Sequence, residues 1–421
     1  MVVLVTGANG FIGRHLVPAL MRAGHTVIAG TRQSHALGTE NGRVAHMPVD
    51  FMDDIAVEHW QTRLKDIDVV VNAVGIISET SAQSFERVHI RGPAALFAAC
   101  AALRIRVIQI SALGADRDAS SRYHLTKRRA DDELLAINGR AVVIHPSLVF
   151  GPDGASAQLI TMLASLPVIP LPAGGQQRIQ PIYIDDLIDA LLTLVASDGY
   201  SGQRLPLVGP EPVSLKQYLR ELRRALSLGK PIFISVPKRI VDIAAQLRVG
   251  LLDHDTWQML QRGNVGGTGV TRELLGREPR AVSRFIDSSM RNKMRVNAQL
   301  SWLLPLLRLS IAVVWLTAGV VSMGLYPVTD SYALLARVGV PSPIAPLALY
   351  GAAALDIALG IGTLILRRRR LLWLLQLTVI IAYTAIITVW LPEFWLHPYG
   401  PVVKNLPVMI AIYLLFQLER R

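Results

Sequence analysis

A tyrosine and a lysine four positions apart, Tyr123 and Lys127, are the residues of this chain best suited to transfer a proton. Positions i and i+4 share one face of a helix, so both side chains can reach one ligand. A free phenol has a pKa of about 10 and is a weak base at neutral pH, but a nearby ammonium lowers that pKa. Such a pair could exchange a proton while a nicotinamide exchanges a hydride.

The spacing alone is weak evidence, because Tyr-x-x-x-Lys also occurs by chance on helix surfaces. Ser111 adds weight, since it directly follows the strand predicted for residues 107–110. Ligands of parallel sheets sit at the carboxyl ends of strands. We therefore predict that Ser111, Tyr123 and Lys127 form a catalytic set.

The elements that would position a cofactor begin at the amino terminus. Residues 2–5 are apolar and β-branched, as in a strand buried on both faces, and a helical pattern over 11–23 precedes a second strand at 26–29. Glycines between strand and helix let the backbone approach a pyrophosphate, which the helix N-terminus would bind. The alternative is a glycine-rich turn with no ligand. The predicted dinucleotide contacts are Thr6, Gly7, Asn9, Gly10, Phe11, Ile12 and Gly13.

The end of the second strand indicates which dinucleotide is bound. Arg32 stands where an acidic residue would accept the ribose hydroxyls of NAD, and its guanidinium suits a 2′-phosphate. We therefore predict NADP(H), with NAD(H) possible, although Arg32 could be a solvated loop cation. Asp50, after the third strand, could flank the adenine or cap a helix. Further contacts are predicted in the turn after a fourth strand at 67–72, namely Ala73, Val74 and Gly75.

Several separated motifs resemble the extended short-chain dehydrogenase/reductase superfamily, and within it an atypical branch. That branch includes the nucleotide-binding accessory subunit of mitochondrial complex I and proteins tied to coenzyme Q synthesis. Besides the glycine loop, the likeness is carried by segments 111–115, 121–123, 146–151 and 180–186. It covers roughly residues 1–290. It implies an α/β Rossmann-type parallel sheet with a small carboxyl-terminal lobe.

The resemblance also assigns roles to individual residues. Ser111 would hydrogen-bond the substrate oxygen, and Tyr123 would be the acid/base. Lys127 would hold the nicotinamide ribose and depress the tyrosine pKa. Pro146 and Ser147 would border the nicotinamide.

Two departures from the superfamily pattern bear on the reaction. Typical extended members have an asparagine in the helix before the fifth strand, where this chain has the stretch His89-Ile90-Arg91-Gly92, and the spacing from the glycine loop to Tyr123 is shorter than in sugar epimerases. Both features argue against sugar-nucleotide chemistry. Some relatives of the atypical branch bind cofactor without known turnover, so a complete Ser/Tyr/Lys set does not by itself establish catalysis.

The remaining features of this domain have plainer interpretations. The segment 152–178 is rich in proline, glycine and alanine, and we predict that it covers the substrate. Asp185 and Asp186 are predicted to start a helix, and 264–269 to be a flexible loop. The single cysteine, Cys100, is predicted to be buried, and the scattered histidines offer no metal site.

Four apolar segments follow, long enough to suggest a membrane domain, since a spanning helix needs about 20 apolar residues. Buried globular helices are the alternative, but four in succession argue against it. We predict an all-α four-helix transmembrane bundle over residues 296–421, joined to an NAD(P)-binding domain over 1–290. The segments are 302–325, 343–366, 371–391 and 406–418, of which the last is short.

The charge distribution predicts an orientation. The net charge is +12, and from residue 291 onward there are twelve basic and four acidic residues. This excess lies beside apolar runs, which fits the positive-inside rule rather than nucleic-acid binding. The basic groups at 291–295, 367–370 and 420–421 share one side if the spans are even in number. No secretory signal precedes the first strand, so we predict a cell (inner) membrane protein with the nucleotide domain and both termini cytoplasmic.

Asp356 lies in the middle of the second apolar segment, where a carboxyl group is costly and normally has a partner. It could serve a proton or quinone site, or a structural hydrogen bond between helices. Its candidate partners are Arg308, Gln376 and Tyr383. The residues predicted mostly to anchor at the interface are Trp302, Trp315, Trp390 and Trp395.

The carboxyl-terminal part resembles the DoxX-like family of small four-helix membrane proteins. Residues 308–311 with Trp315 and Gly319 carry the likeness in the first segment, and Asp356 with Gly360 carries it in the second. Some members are associated with quinone-linked redox chemistry. The resemblance therefore implies a function compatible with the first domain.

Two functions of different classes follow. The first is a membrane-anchored NADP(H)-dependent oxidoreductase acting on a hydrophobic carbonyl, alcohol or quinone-related compound. The second is a non-catalytic NADPH-binding assembly factor of a membrane respiratory or quinone-biosynthesis complex. An NAD-dependent epimerase or dehydratase is a third and weaker possibility. The lipid bilayer is a predicted partner in each case, and nucleic acid is not.

Overall fold

The computed structural model describes residues 1–32, 44–247 and 254–419. The chain divides into two compact units, Met1–Ala298 and Gln299–Arg421. Arg420 and Arg421, which belong to the predicted charge pattern, lie outside the described residues.

The strands all lie in the first unit. In chain order they are β1 (Val2–Thr6), β2 (Thr26–Thr31), β3 (Val44–Pro48), β4 (Val69–Asn72), β5 (Arg106–Ile110), β6 (Val142–Pro146), β7 (Val149–Phe150), β8 (Val168–Pro172), β9 (Arg178–Ile179), β10 (Ile182–Tyr183), β11 (Arg204–Leu207), β12 (Val213–Ser214) and β13 (Ile232–Val236).

The helices alternate with these strands and then continue alone. They are α1 (Phe11–Arg22), α2 (Val57–Arg63), α3 (Gly92–Ala102), α4 (Arg122–Ile137), α5 (Ala155–Ser165), α6 (Ile184–Ala196), α7 (Leu215–Ala225), α8 (Lys238–Gln246), α9 (His254–Arg262), α10 (Gly269–Leu275), α11 (Ser288–Val320), α12 (Val328–Arg337), α13 (Ala345–Ile365), α14 (Arg370–Trp390) and α15 (Asn405–Leu418).

Seven strands form one parallel sheet in the order β11-β6-β5-β4-β1-β2-β3. Val3 and Val5 of β1 face a core shared with α1 and α6, whereas Leu4 faces a core shared with α2, α3 and α4. Both faces of the sheet are therefore covered, and the predicted Rossmann-type fold is confirmed. The strand order reverses between β1 and β4, which places a ligand crevice at their carboxyl ends.

The helix predicted over 85–103 differs in its first half. Glu86–Arg91 forms a π-helix, and α3 follows it. Pro93 lacks the N–H that a regular helix would use to bond the carbonyl four residues earlier, which permits the wider turn. The π-helix presents His89 to the crevice side of β4, where it bonds the Ile76 amide.

The segment 264–269, predicted as a flexible loop, is instead held by side-chain hydrogen bonds. Asn264 Oδ1 accepts from the Leu148 amide at 2.9 Å, and the Gly266 amide donates to Gln180 Oε1 at 3.1 Å. Gln180 Nε2 also donates to Thr268 Oγ1 at 2.9 Å. These hydrogen bonds from amide side chains fix the segment, so it is more ordered than its glycines suggested.

The segment 152–178, predicted as a cover for the substrate, is also more regular than expected. It contains α5, which packs on α7, and β8, which pairs in parallel with β13. These elements build the smaller lobe. Asp185 and Asp186 lie in the first turn of α6 as predicted, and α6 packs on α1 beside the parallel sheet.

In the described part of the second unit, the regular elements are all helices. Among the described residues, three helices are long and apolar enough to cross a membrane, within Ser288–Leu325, Ser342–Ile365 and Arg370–Trp390, and α15 is a shorter apolar helix. The chain between the first two spans forms α12 rather than a short turn. An even number of spans therefore depends on α15.

Gly13 gives a direct test of how tightly the glycine loop packs. A Cβ built on Gly13 would lie 2.3 Å from the Gly7 carbonyl oxygen and 2.7 Å from Ala8 Cα. We expect Gly13→Ala to destabilise the fold by about 1–3 kcal/mol, because backbone cannot yield as a side chain does, and to weaken dinucleotide binding. Thermal unfolding and cofactor titration of the purified protein would measure both.

The matched control is Gly139→Ala, since a Cβ there meets nothing within 4 Å. It is expected to stay within about 0.5 kcal/mol of the parent. Equal stability of the two variants would contradict the packing argument.

Candidate functional site

The glycine loop offers a backbone site for an anion. No side chain caps the start of α1 after Gly10, and its first turn holds no acidic residue. The first-turn N–H groups and the positive end of the helix dipole are therefore available to phosphate. Gly7 has a φ of +71°, and a Cβ there would lie 2.9 Å from the Ala73 carbonyl carbon. The loop thus lies directly against the turn that follows β4.

A buried hydrogen-bond chain positions that turn. Thr6 Oγ1 donates to Asn72 Oδ1 at 2.6 Å, and Asn72 Nδ2 donates to Gln109 Oε1 at 2.7 Å. Asn72 Oδ1 also accepts from the Val74 amide at 3.3 Å. Asn72 and Gln109 were absent from the predicted site. The signal that could have identified them was a polar residue at the end of β4 and another one residue before the end of β5.

Lys127 joins the ends of β4 and β5. Its Nζ donates to the carbonyl oxygens of Ile110 at 3.1 Å and Val74 at 3.4 Å. A Cβ on Gly75 would lie 3.0 Å from the same Nζ. Burial lowers the pKa of Lys127 to about 8, although the Asp131 carboxylate opposes this shift. The ammonium therefore stands at the crevice between these strands.

Tyr123 lies among aromatic rings one helical turn before Lys127. Its ring centroid is 5.3 Å from that of His124, 5.7 Å from that of His89 and 6.3 Å from that of Phe85. Burial, with a smaller effect of the Asp131 charge, raises the pKa of Tyr123 to about 12. This direction is opposite to the prediction that Lys127 depresses the tyrosine pKa, because burial disfavours the charged phenolate.

Ser111 is engaged by a carboxylate that the sequence motifs did not indicate. Ser111 Oγ donates to Asp131 Oδ2 at 2.5 Å, and His145 Nε2 lies 3.1 Å from the same oxygen. Asp131 is fully buried and lies eight residues after Tyr123 on α4. Asp131 could have been identified from the sequence, because it follows Lys127 by four positions just as Lys127 follows Tyr123, which puts all three on one face of α4. Since the Ser111 proton points at Asp131, only lone pairs of Ser111 remain for a substrate.

His89, which replaces the usual asparagine, is held by two neighbours. Its Nε2 accepts from the Ile76 amide at 3.1 Å, and its Nδ1 lies 2.9 Å from Thr126 Oγ1. Burial and then the Lys127 charge lower the pKa of His89 to about 2. The imidazole is therefore neutral and connects the turn after β4 to α4.

The remaining predicted cofactor residues are distributed around the crevice. Arg32 is exposed at the end of β2. Asp50 Oδ1 accepts from the Met52 amide at 2.9 Å, so it stabilises a turn. Pro146 ends β6, and the adjacent Ser147 Oγ donates to the Gln180 carbonyl at 2.6 Å.

The helix that follows the glycine loop contacts a second turn. A Cβ on Gly151 or Gly154 would lie 2.8 or 2.9 Å from the ring of Phe11, so these glycines admit that ring. Asn9 is exposed and Ile12 is half-buried at the start of α1. Within the described ranges, no three His, Cys, Asp or Glu side chains lie together in a manner suited to a metal ion.

The second unit has its own buried polar groups. Asp356 is buried, and its Oδ1 has no hydrogen-bond partner in the described part of the chain. Gln376 Nε2 donates to Thr363 Oγ1 at 2.7 Å, and Arg308 pairs with Glu419. Two of the three candidate partners of Asp356 are therefore engaged elsewhere.

Two tryptophans of the second unit illustrate different positions. Trp315 is buried among apolar side chains of the bundle, which corrects its prediction as an interfacial anchor. Trp373, which was not predicted to have a role, donates from Nε1 to Glu419 Oε2 at 2.9 Å. Trp390 and Trp395 are exposed, in keeping with the anchor prediction.

Comparison with known proteins gives each part of the chain a separate family likeness. Residues 3–205 match the NAD dependent epimerase/dehydratase family, and residues 312–413 match the DoxX-like family. The chain thus combines an epimerase- and short-chain-dehydrogenase-like domain with a DoxX-like domain, as the motifs predicted.

Two curated relatives match the first domain. The mitochondrial NADH-ubiquinone oxidoreductase 40 kDa subunit of Neurospora crassa is 26% identical over 259 residues, which cover 60% of this chain and 66% of that subunit. Ceramide reductase of Caulobacter vibrioides is 27% identical over 280 residues, covering 65% of this chain and 84% of the reductase. The chain therefore spans just under two thirds of the length of the first relative.

A solved structure shares the fold. UDP-glucuronic acid 4-epimerase from Bacillus cereus, in complex with UDP-glucuronic acid and NAD, aligns with a TM-score of 0.52 at 20% identity. The alignment covers 72% of this chain and 100% of the epimerase chain. The first domain is thus NAD(P)-dependent reductase- or epimerase-like in architecture.

Proposed function

We propose that the protein is a membrane-anchored NAD(P)H-dependent oxidoreductase that reduces a hydrophobic carbonyl or quinone-related substrate to the alcohol. The observation that carries this proposal is the placement of Lys127 of α4 at the end of β5, the strand that Ser111 follows, with Tyr123 one helical turn before Lys127. The close approaches at Gly7, Gly13 and Gly75 fit a dinucleotide-binding loop, because a Cβ at these positions would lie within 3.0 Å of the Ala73 backbone, the Gly7 carbonyl oxygen and Lys127 Nζ. When bound, the dinucleotide supplies the hydride.

The protonated phenol of Tyr123 supports the reductive direction. With a pKa of about 12 its phenol is protonated at neutral pH, so it can donate a proton to a substrate oxygen. Oxidation of an alcohol would instead need the phenolate. Ser111, whose own proton is held by Asp131, can accept a hydrogen bond from the product hydroxyl. Lys127 would contact the nicotinamide ribose.

The hydrophobic character of the substrate is supported by the second unit. Three helices there are long and apolar enough to cross a membrane, so the active domain stays near lipid. A relative that is 27% identical is named ceramide reductase, and a lipid carbonyl falls within the proposed substrate class. The Neurospora subunit supports the second candidate, an assembly factor that binds the dinucleotide without turning it over.

The test uses the purified full chain in nanodiscs, incubated with NADPH or NADH and lipid extracts. We expect oxidation of the reduced nicotinamide together with a lipid product heavier by two hydrogens. If no product forms and a respiratory or quinone-synthesising complex copurifies stably with the chain, the assembly-factor hypothesis would be favoured over the enzyme hypothesis.

The preferred dinucleotide is NADP(H) in this proposal. Arg32 is exposed at the end of β2 and supplies a planar fork of donors for a 2′-phosphate. We expect NADPH to bind at least about tenfold more tightly than NADH, the value of one or two charge-assisted hydrogen bonds. Direct titration of both would measure this, and tighter binding of NADH would contradict it.

The orientation is proposed from charge. Arg367, Arg368, Arg369 and Arg370 join the second and third spans, and positively charged loops stay in the cytoplasm. With α15 counted as a span, the first unit and both termini are cytoplasmic. A reactive tag placed after Arg421 is expected to resist membrane-impermeant reagents in intact cells, and labelling from outside would refute this topology.

A further inference from the structure

Helix α8, together with Leu247 directly after it, has an apolar stripe that the described residues leave exposed. Ile240, Ile243 and Leu247, at helical spacing i, i+3 and i+7, are 55%, 57% and 71% exposed. The opposite face is packed, because Val241 and Ala245 are buried in a cluster with Trp257 of α9. Folding therefore requires only one of the two apolar faces of this helix. The α8 stripe, defined by Ile240, Ile243 and Leu247, needs another explanation.

Two positively charged residues in the first turn of α8 indicate an anionic partner for the α8 stripe. Lys238 and Arg239 occupy the first turn of α8 and are exposed, although cations are unfavourable at the positive end of a helix dipole. The acidic residue of this helix, Asp242, accepts a hydrogen bond from Trp257 Nε1 at 2.7 Å. An anionic partner would offset the cost of the two cations.

An anionic bilayer fits this combination better than a protein does. Apolar side chains on one side with lysine and arginine next to them are typical of helices that lie in the membrane interface. A stable dimer buries about 800 Å² on each partner, and three side chains supply only a fraction of that area. The second unit also carries helices able to span a membrane, so this chain keeps a bilayer within reach.

We propose that α8 lies on the surface of an anionic bilayer, with the α8 stripe in the acyl boundary and Lys238 and Arg239 at the lipid phosphates. Ile232 and Ile234 of the preceding strand β13 are also exposed. The docking stands on these observations alone and does not depend on turnover.

Helix α9, which packs on α8, also contacts the turn beside the proposed active site, and the meaning of this contact rests on the proposed function. Arg262, the last residue of α9, donates from Nη1 to the Gly114 carbonyl at 2.6 Å and pairs with Asp116. A Cβ on Gly114 would lie 2.9 Å from the His124 ring, next to Tyr123. A single helix thus links the lipid-facing α8 to the turn beside the proposed acid.

The test attaches a fluorophore to one cysteine of the full chain in nanodiscs. Cys100, the only native cysteine, is buried, so an introduced surface cysteine labels selectively. We expect a label at Ile243→Cys to be quenched by spin-labelled lipid in nanodiscs containing phosphatidylglycerol. The control is Gln203→Cys, an exposed turn position that is expected to remain unquenched.

A second measurement isolates the charge contribution. With the Ile243→Cys label in place, Lys238→Gln and Arg239→Gln are each expected to lower the docked-to-free ratio about fivefold in anionic nanodiscs. In pure phosphatidylcholine the same variants should match their parent. Equal quenching at positions 243 and 203, none at position 243, or no effect of either cation variant would overturn the proposal. So would quenching between labels on two copies in place of quenching by lipid.

These readouts are independent of catalysis. If α8 docks but no lipid is turned over, the proposed function is contradicted and the docking proposal stands. If lipid is turned over but the label at Ile243→Cys is not quenched, the docking proposal is contradicted and the proposed function stands.

Discussion

The Tyr123→Phe variant is expected to lose about 10²–10⁴-fold in turnover while binding the dinucleotide as tightly as the parent, because only the proton donor is removed. Phenylalanine keeps the ring, so the contacts with Phe85, His89 and His124 remain. The measurement is single-turnover reduction by the nanodisc-embedded chain, with cofactor titration and thermal unfolding on the same sample.

Tyr200→Phe is the matched control. The Tyr200 hydroxyl donates to Glu273 at 2.7 Å near the surface, so its loss is expected to leave turnover unchanged. If Tyr123→Phe also left turnover and the cellular function unchanged, the phenol would not be the acid. The assembly factor that binds dinucleotide without reaction would then be the better description.

The second large effect is expected at Asp131, which acts as a positioning residue through Ser111 and Tyr123. Its carboxylate accepts the Ser111 proton, and its charge helps to raise the pKa of Tyr123 and opposes the lowering of the pKa of Lys127. We expect Asp131→Asn to lower turnover about tenfold or more, the value of one hydrogen bond to a charged group.

The pH profile separates this role from a merely structural one. Reduction needs protonated Tyr123, so kcat/KM falls as pH rises through the pKa of that phenol. Removing the Asp131 charge removes one cause that raises this pKa, so the fall moves to lower pH. A variant that was only misfolded would lose activity at every pH and keep the midpoint.

The neighbouring Asp132→Asn variant is the control, because Asp132 is half exposed and pairs with Arg128 and Arg204 at the surface. It is expected to keep both the rate and the pH midpoint of the parent. A shift of the midpoint in Asp132→Asn, or its absence in Asp131→Asn, would count against the role of Asp131.

Much of the first unit could be predicted because its signals are local. Val2–Thr6, the glycine loop and α1 form one contiguous motif whose glycines are required by close backbone contacts that the structure contains. Apolar strands buried on both faces leave a pattern that neighbours in sequence reveal. The long apolar helices of the second unit could be predicted for the same reason, because the thickness of a bilayer sets the length of a spanning helix.

Other features escaped prediction because they depend on residues distant in sequence. The segment 264–269 looked flexible from its glycines, but Gln180 and Asn264 hold it through bonds that span more than 80 residues. Trp315 looked like an anchor, but the packing of the bundle buries it.

The sequence by itself indicated the two-part organisation and the parallel sheet, because both leave local patterns of spacing and periodicity, and it predicted Ser111, Tyr123 and Lys127 as a catalytic set. Only the tertiary structure decided the electrostatics of that set. It turned Lys127 toward backbone carbonyls and buried Asp131 behind Ser111, so that the pKa of Tyr123 rises rather than falls. The reason is physical: desolvation and charge act through space, and burial is a property of the packed chain.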